Sequence, residues 1–486
     1  MYLAANLVQE GRWTFSPETE PFMFEWQRLE GLRWVAVRFR DWDAILGDAS
    51  ARDLARRGQL RVSQERYYIA STGARSRYVT AYGPIPALAA VPLFAAVRIA
   101  GGDLTGRPDL PWYAAKSAAS MVVALSALFV FLVAAGIAGN AAAWGISLAY
   151  GLGTGVWSTS SQALWQHGPS ALALAIGIHA LARPSSARSR GTAGLAFGAV
   201  FAARPTLILL GLAVFVFLIV QERRRAPWFA LGALGTGGVL LAFNAHFLGA
   251  PWATGQGILA AKLALLYTGS PSLWQTPLPI GLLGLLASPS RGLFVYSPFL
   301  LFAVAGLAVG WRQPRTAWMG PLALGALGVA CLNAAYFQWW GSWSFGTRYL
   351  VDLMPLLALG LLGIRGPLMR RPLLLAVFSL ALGWSVLVQG LGAFAYDVAG
   401  WNARQVVVDT GDPGRPWVDL DDVPGVERLA EMARGELAVR ALNIDAPENS
   451  GRLWSWEDSP LVYYATRFWQ ARAAKRALMA RWIEGA

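Results

Sequence analysis

Cysteine is almost absent: Cys331 is the only one in 486 residues, and it lies inside an apolar run. A single thiol closes no intramolecular disulfide, so the redox compartment is not readable from it. Histidine is nearly as scarce. His167, His179 and His246 are too scattered, with one cysteine, to make a zinc site. Charge is sparse as well, at 14% of residues against 55% hydrophobic, with a mean hydropathy of +0.42. Such a balance excludes an ordinary soluble domain and marks a polytopic membrane protein. Lysine occurs three times, at Lys116, Lys262 and Lys475, so the net charge of +13 comes from arginine. Nucleic acid is the first partner a basic chain suggests, but no RNA- or DNA-binding motif is present. No cofactor motif is evident, nothing supports a divalent metal, and no internal repeat stands out.

Long apolar runs are what the chain has in abundance. Runs at 113–137, 141–157, 165–182, 227–248, 292–310, 316–336, 350–364 and 373–394 approach the ~20 residues a crossing helix needs. The run 191–220 is interrupted by Arg204-Pro205. It reads as two short paired helices with Arg204 at the turn, because proline breaks a single helix and charge inside lipid is costly. Arginine clusters at Arg183/Arg188/Arg190, Arg223/Arg224/Arg225, Arg312/Arg315 and Arg365/Arg370/Arg371 then all fall on one side. By the positive-inside rule that side is cytoplasmic. The expectation is an all-α, polytopic integral membrane protein of about 10–11 helices. Residues 1–112 form a first outside loop with interfacial helices, 82–100 possible as a span; 113–394 form the helical core; 395–486 form a small outside tail. A polar stretch at Asp409–Asp422 and an amphipathic helix at 461–483 are expected in that tail.

Five segments on the predicted outer side share one character, aromatic, Gly and Pro residues with one or two polar groups. They are 77–84 with Tyr78 and Tyr82, 165–169 with Trp165 and His167, 244–251 with Asn244 and His246, 291–298 with Arg291 and Tyr296, and 337–349. The last holds Trp339, Trp340, Trp343, Arg348 and Tyr349. Each alone fits an interfacial aromatic belt; all five at membrane boundaries on one side suit a site for a sugar on a lipid phosphate. Flat rings suit a sugar, and an arginine fork suits phosphate. Arg348 and Arg291 are the phosphate candidates, with an internal carboxylate as the alternative partner. Asp352, four residues beyond Arg348, is the candidate for that. His167 is either a buried histidine bonded to a carbonyl or a site residue; His179 reads as packing. A transferase needs a carboxylate to take the acceptor's proton. Glu18, Glu20, Glu25, Asp41, Asp43 and Asp48 are available, Asp41 and Asp43 most densely, in a stretch that equally fits a solvated surface.

Together these segments resemble the GT-C superfamily of membrane glycosyltransferases, especially bacterial relatives of the protein O-mannosyltransferases and the lipid A aminoarabinose transferase. The run Tyr82-Gly83-Pro84 through Leu88 to Pro92 is similar to the family's Tyr-x-Pro-Gly-x-x-x-Leu-x-x-x-Pro helix, with Pro and Gly in inverted order. Segments 165–169, 291–298 and 339–350 are similar to later family elements, so the resemblance covers about residues 1–365. It implies a polyprenyl-phosphate sugar donor held in a cavity facing outward from the bacterial cytoplasmic membrane, transfer with inversion to a lipid, glycan or protein acceptor, and an Asp base early in the first outside loop. Met1–Gly11 looks like the helix that follows that Asp, so the Asp and a first span are expected upstream of Met1, with Asp41 or Asp43 the substitutes otherwise. A lipid-linked sugar transporter and a non-catalytic relative fit the same residues. Paired broken helices in two related halves, which many transporters carry, are not apparent.

Overall fold

The computed structural model describes residues 1–30, 33–37, 42–56, 60–62, 69–71, 78–105, 109–398, 400–409, 418–419 and 437–473. The described structure is mostly helical, at 71%. Among the described residues, five stretches are long and apolar enough to cross a membrane: Asp109–Ala138, Ala226–Leu248, Pro314–Ala335, Arg348–Arg370 and Pro372–Ala395. Others are shorter, and at 1.5 Å per residue they fall short of a ~30 Å hydrocarbon core.

In chain order, α1 (Tyr2–Glu10) is followed by β1 (Trp26–Glu30), β2 (Arg33–Val37), α2 (Trp42–Gly47), α3 (Ala49–Arg56), β3 (Leu60–Val62), β4 (Ile69–Ala70), β5 (Val79–Thr80) and α4 (Ile85–Ile99). The apolar helices are α5 (Asp109–Ala138), α6 (Asn140–Gly153), α7 (His167–Ala182), α8 (Ala187–Ala203), α9 (Ile208–Gln221) and α10 (Ala226–Leu248). They continue through α11 (Gly255–Thr268), α12 (Leu278–Ala287), α13 (Leu293–Tyr296), α14 (Leu300–Gly310), α15 (Met319–Ala335), α16 (Met354–Arg370) and α17 (Pro372–Ala395). The tail holds β6 (Ala403–Asp409), β7 (Val418–Asp419), β8 (Leu437–Asn443) and α18 (Pro460–Thr466).

The expectation of a purely α protein needs correction outside the apolar helices. Antiparallel sheets of order β2-β1-β3, β4-β5 and β7-β6-β8 occupy the N-terminal region and the tail. An apolar stretch such as Trp34–Val37 is too short a signal to stand out beside twenty-residue runs. The run 82–100 is α4, fifteen residues long and so about 22 Å. It buries Ala90 and Phe94 against Leu3, Ala4 and Ala5 of α1 and Ala114 and Ala115 of α5. The run 292–310 is not one helix: Ser297-Pro298 splits α13 from α14. Most of the stretch Asp409–Asp422 and the end of the helix expected at 461–483 lie outside the described residues.

Small residues let the apolar helices approach closely. On α8, Gly194 and Gly198 are four apart, and a Cβ on either would strike α10, at Phe229 O and Thr236 Oγ1. On α14, Gly306 meets Gly360 O of α16 in the same way. Where lipid tails are as apolar as leucine, such close backbone packing is a main source of helix association. α16 lies deepest, while α17 runs along the rim. Arg204-Pro205 ends α8: Arg204 is extended (φ −150°, ψ 103°), as a residue before proline prefers, and α9 starts after one 3₁₀ turn.

The chain direction sets the two ends of the bundle. The close of α8, the close of α15 and the starts of α7 and α16 meet through Arg204, Asn333, His167 and Asp352. The arginine clusters therefore cap the other ends, at the α7–α8, α9–α10, α14–α15 and α16–α17 turns. Arg190 closes one of these with a 2.6 Å ion pair to Glu222.

Candidate functional site

Asp352 is fully buried, and its partners differ from the one its spacing suggests. Oδ2 takes a hydrogen bond from Arg204 and lies 2.9 Å from His167 Nδ1. Arg204 also donates to Asn333 Oδ1 at 2.9 Å and to the Tyr349 carbonyl at 3.0 Å, with its guanidinium 5.2 Å from the Tyr349 ring centre. The expected Arg348–Asp352 pairing fails for a geometric reason. Arg348–Leu353 is a 3₁₀ helix, in which residues three apart eclipse, so positions four apart no longer share a face. Arg204, read from sequence as a turn residue, is instead the cation that neutralises a buried carboxylate from another helix.

Arg348 points the other way. Its guanidinium lies 5.1 Å from the Trp165 ring centre and 5.3 Å from that of Tyr349, so two arginines approach the Tyr349 ring. Tyr82 belongs to the same group. Burial raises its hydroxyl above the ordinary tyrosine range, and the charge of Arg348 partly offsets this. Tyr82 and the residue next to Trp165, Gln166, line a narrow cleft together with Thr80, Asn244, Thr254 and Gln256. Segments 77–84, 165–169, 244–251 and 337–349 thus converge at one end of the bundle.

Other candidates serve the framework. Arg291 is completely buried, donating to the carbonyls of Trp340 (2.9 Å), Ser290 (3.0 Å) and Ser342 (3.1 Å) and to Asn402 Oδ1 (2.8 Å). Its fork is filled by the protein, and it ties segments 291–298 and 337–349 to the tail rather than waiting for a phosphate. Tyr296 donates to Ser290 O at 2.8 Å and packs edge-on against Phe345. Trp339, only 4% exposed, wedges against Gly284 and Trp454 and offers no free face to a sugar. Trp340 donates to Asp445 Oδ1 at 2.9 Å and Trp343 to Asn443 Oδ1 at 3.1 Å, so both indoles grip the tail. Burial raises the Asp445 carboxyl above its usual range against the pull of hydrogen bonds from Ser342 and Trp340. The loop is also the place where backbone geometry is least ordinary: Gly341 and Gly346 have positive φ, and so does Ser342 at 55°. Tyr78 lies away from the cleft, its ring 4.8 Å from that of Phe24 and its backbone bridged to Phe15. His179 packs edge-on against Phe129, as a packing residue would.

Several carboxylates of the first hundred residues are engaged elsewhere. Glu20 takes hydrogen bonds from Asn6, Arg12, Thr19 and the Ser16 amide. Asp43 is exposed and pairs with Lys262 at 2.9 Å, and Asp48 accepts from the Ala51 amide. Asp41 lies outside the described residues. No group of three or more His, Cys, Asp or Glu that could hold a metal occurs among the described residues.

The buried network of His167, Arg204, Asn333 and Asp352 was the part sequence reasoning did not assemble. The signal was available: each of these is a polar residue inside or at the edge of an apolar run, where such groups are costly and pair with one another. Compared with protein-family models, curated proteins and solved structures, the chain matches none.

Proposed function

We propose that this protein is an inverting membrane glycosyltransferase that moves a sugar from a polyprenyl phosphate to an acceptor outside the bacterial cytoplasmic membrane. What carries the reading is the convergence of Arg348, Trp165, Tyr82 and Tyr349 on one end of the bundle, beside a narrow cleft with a polar lining. Here the acceptor oxygen forms its bond to the anomeric carbon from the face opposite the phosphate. The bond from that carbon to the phosphate oxygen breaks, and its electrons stay on the phosphate. Arg348 holds that phosphate through charge-assisted hydrogen bonds, which strengthen as negative charge builds on the leaving oxygen. Trp165 and Tyr349 keep the guanidinium plane in place by cation–π contact. Arg204, Asp352 and Asn333 hold the backbone of Tyr349, next to Arg348, and so keep the arginine in register. The acceptor's proton passes to a carboxylate; no residue among those described is assigned that role.

Purified full-length protein, supplied with a radiolabelled polyprenyl-phosphate sugar and an envelope extract as acceptor source, should release polyprenyl phosphate and label an acceptor. Arg348→Ala should lower turnover by roughly a hundredfold or more, the scale of one lost transition-state donor, and Arg348→Lys should recover only part of it. Unchanged turnover in both variants would remove the phosphate role.

A further inference from the structure

The tail carries a concentration of charge that the site around Arg348 does not use. Between Pro460 and Ile483 the sequence holds five cations, Arg467, Arg472, Lys475, Arg476 and Arg481, and no Asp or Glu. A block of one sign repels itself and suits an anionic partner. Asp458, the carboxylate just before α18, is taken by Arg452 and Arg404, and Arg472 has no ion pair among the described residues.

The position of this segment is fixed by its inner face. α18 and the helical residues 468–473 after it bury Leu461, Tyr464 and Ala471, and Phe468 packs against the same core. Tyr464 also donates to Asp397 O at 2.9 Å, two residues past the end of α17. The outer face is thereby set at that end of α17. On α17 itself, Leu373, Val377, Leu380, Trp384, Leu387 and Phe394 are exposed at steps of three, four and seven, which is one stripe of a helix. A stripe of that kind on a crossing helix faces lipid tails. At 1.5 Å per residue the 24 residues of α17 reach about 36 Å, against a hydrocarbon core of ~30 Å, so Phe394, next to the last residue, stands at the boundary.

Arg472 meets the stripe there. Its guanidinium lies 5.9 Å from the Phe394 ring centre and 5.8 Å from that of Trp469, which is 74% exposed. An open tryptophan at this level matches the belt that rings form at headgroup depth. The arginine stem can lie along apolar rings while its charge reaches the phosphates above them. A second copy of the chain would set the same five cations against themselves. An acidic protein would answer the charge but leave the rings at hydrocarbon depth uncovered. An anionic phospholipid answers both.

We infer that the helical surface around Trp469 and Arg472 lies in the membrane interface and gathers anionic phospholipid, with Arg472 on a lipid phosphate and the charge of Lys475, Arg476 and Arg481 adding to the attraction. The inference needs α17 to cross the membrane and is independent of sugar transfer.

The test uses full-length protein in a Cys331→Ala background, with a fluorophore on Gln470→Cys, in phosphatidylcholine nanodiscs. Gln470 is exposed and adjoins Trp469. Spin-labelled phosphatidylglycerol or spin-labelled phosphatidylcholine, each labelled near the headgroup, is added as quencher. Half-quenching should need roughly fivefold less of the phosphatidylglycerol, the scale for one basic residue near an anionic surface. Arg472→Gln combined with Lys475→Gln and Arg476→Gln should bring the two lipids close together. Arg472→Lys alone, which keeps the charge, should keep the preference. A label that neither lipid quenches, equal quenching by both in the native protein, or a preference unmoved by the triple change would overturn the inference. So would a loss in Arg472→Lys as large as in Arg472→Gln, which would trace the effect to ring packing. Quenching by neither lipid, with polyglutamate bound by the native protein and not by the triple variant, would give the basic face to an acidic macromolecule instead.

Discussion

Asp352 shows what a single buried charge requires. Its carboxylate sits among apolar helices with Arg204 and His167 as partners, so removing it strands the Arg204 cation in a low-dielectric interior. Asp352→Ala should lower stability by about 3–5 kcal/mol, the range for breaking a buried pair, seen as a large drop in thermal midpoint of the detergent-solubilised protein. Replacing both charges, Arg204→Met with Asp352→Leu, should recover much of that loss, since an apolar pair of similar volume needs no compensation. Equal damage from the single and the double change would mean that the backbone link from Arg204 to Tyr349 O outweighs the ion pair. From sequence, the charge of each residue was legible but its partner was not. Arg204 and Asp352 lie 148 positions apart, and only the packing of α8 on the rest of the bundle brings them together.

At the scale of elements, apolar runs determine helices well because length and hydropathy suffice. The runs 113–137, 227–248 and 373–394 correspond to α5, α10 and α17 within a few residues. The failures are local. Ser297-Pro298 interrupts a run whose average hydropathy hides it, and the small sheets lie in polar sequence where the signal is two to seven residues long. The tryptophans of 337–349 looked like a sugar platform because ring faces serve sugars and protein packing equally; hydrogen bonds to Asp445 and Asn443 assign two of them to holding the tail. One junction of elements should respond to pH. Glu20 joins α1 to the turn that follows it. Burial alone would raise its carboxyl, but hydrogen bonds from Arg12, Thr19, Ser16 and Asn6 outweigh that and hold it below the usual glutamate range. The folded state therefore gives up this proton more readily than the unfolded one. Its contribution is complete above the unfolded value of 4.5 and declines as pH falls through the lower folded value. Amide exchange in residues 2–20 should accelerate between pH 5 and 3 relative to α16. Glu20→Gln should already show faster exchange at pH 7 and little further change on acidification. An acid response identical in native and variant protein would place its origin elsewhere.

For the whole molecule, the arrangement has two chemically distinct ends. One carries the cleft, Arg348 and the tail; the other carries the arginine-capped turns, and the proposed transferase requires the first to face outward and the second the cytoplasm. The scarcity of cysteine makes this directly measurable. In a Cys331→Ala background, single cysteines at Ser272, on the cleft-end connection between α11 and α12, and at Ala187, at the α7–α8 turn, occupy exposed positions at opposite ends. A membrane-impermeant maleimide added to intact cells should label Ser272→Cys and leave Ala187→Cys untouched until the membrane is opened. Reversed labelling would put the cleft in the cytoplasm, where a sugar donor is more readily a nucleotide than a polyprenyl phosphate, and the lipid-phosphate role of Arg348 would lose its basis. Labelling of both from one side would be more damaging still. The interlock of His167, Arg204, Asn333 and Asp352 holds the ends of four helices together, so the turns at their far ends can share that side only if those helices do not cross the membrane.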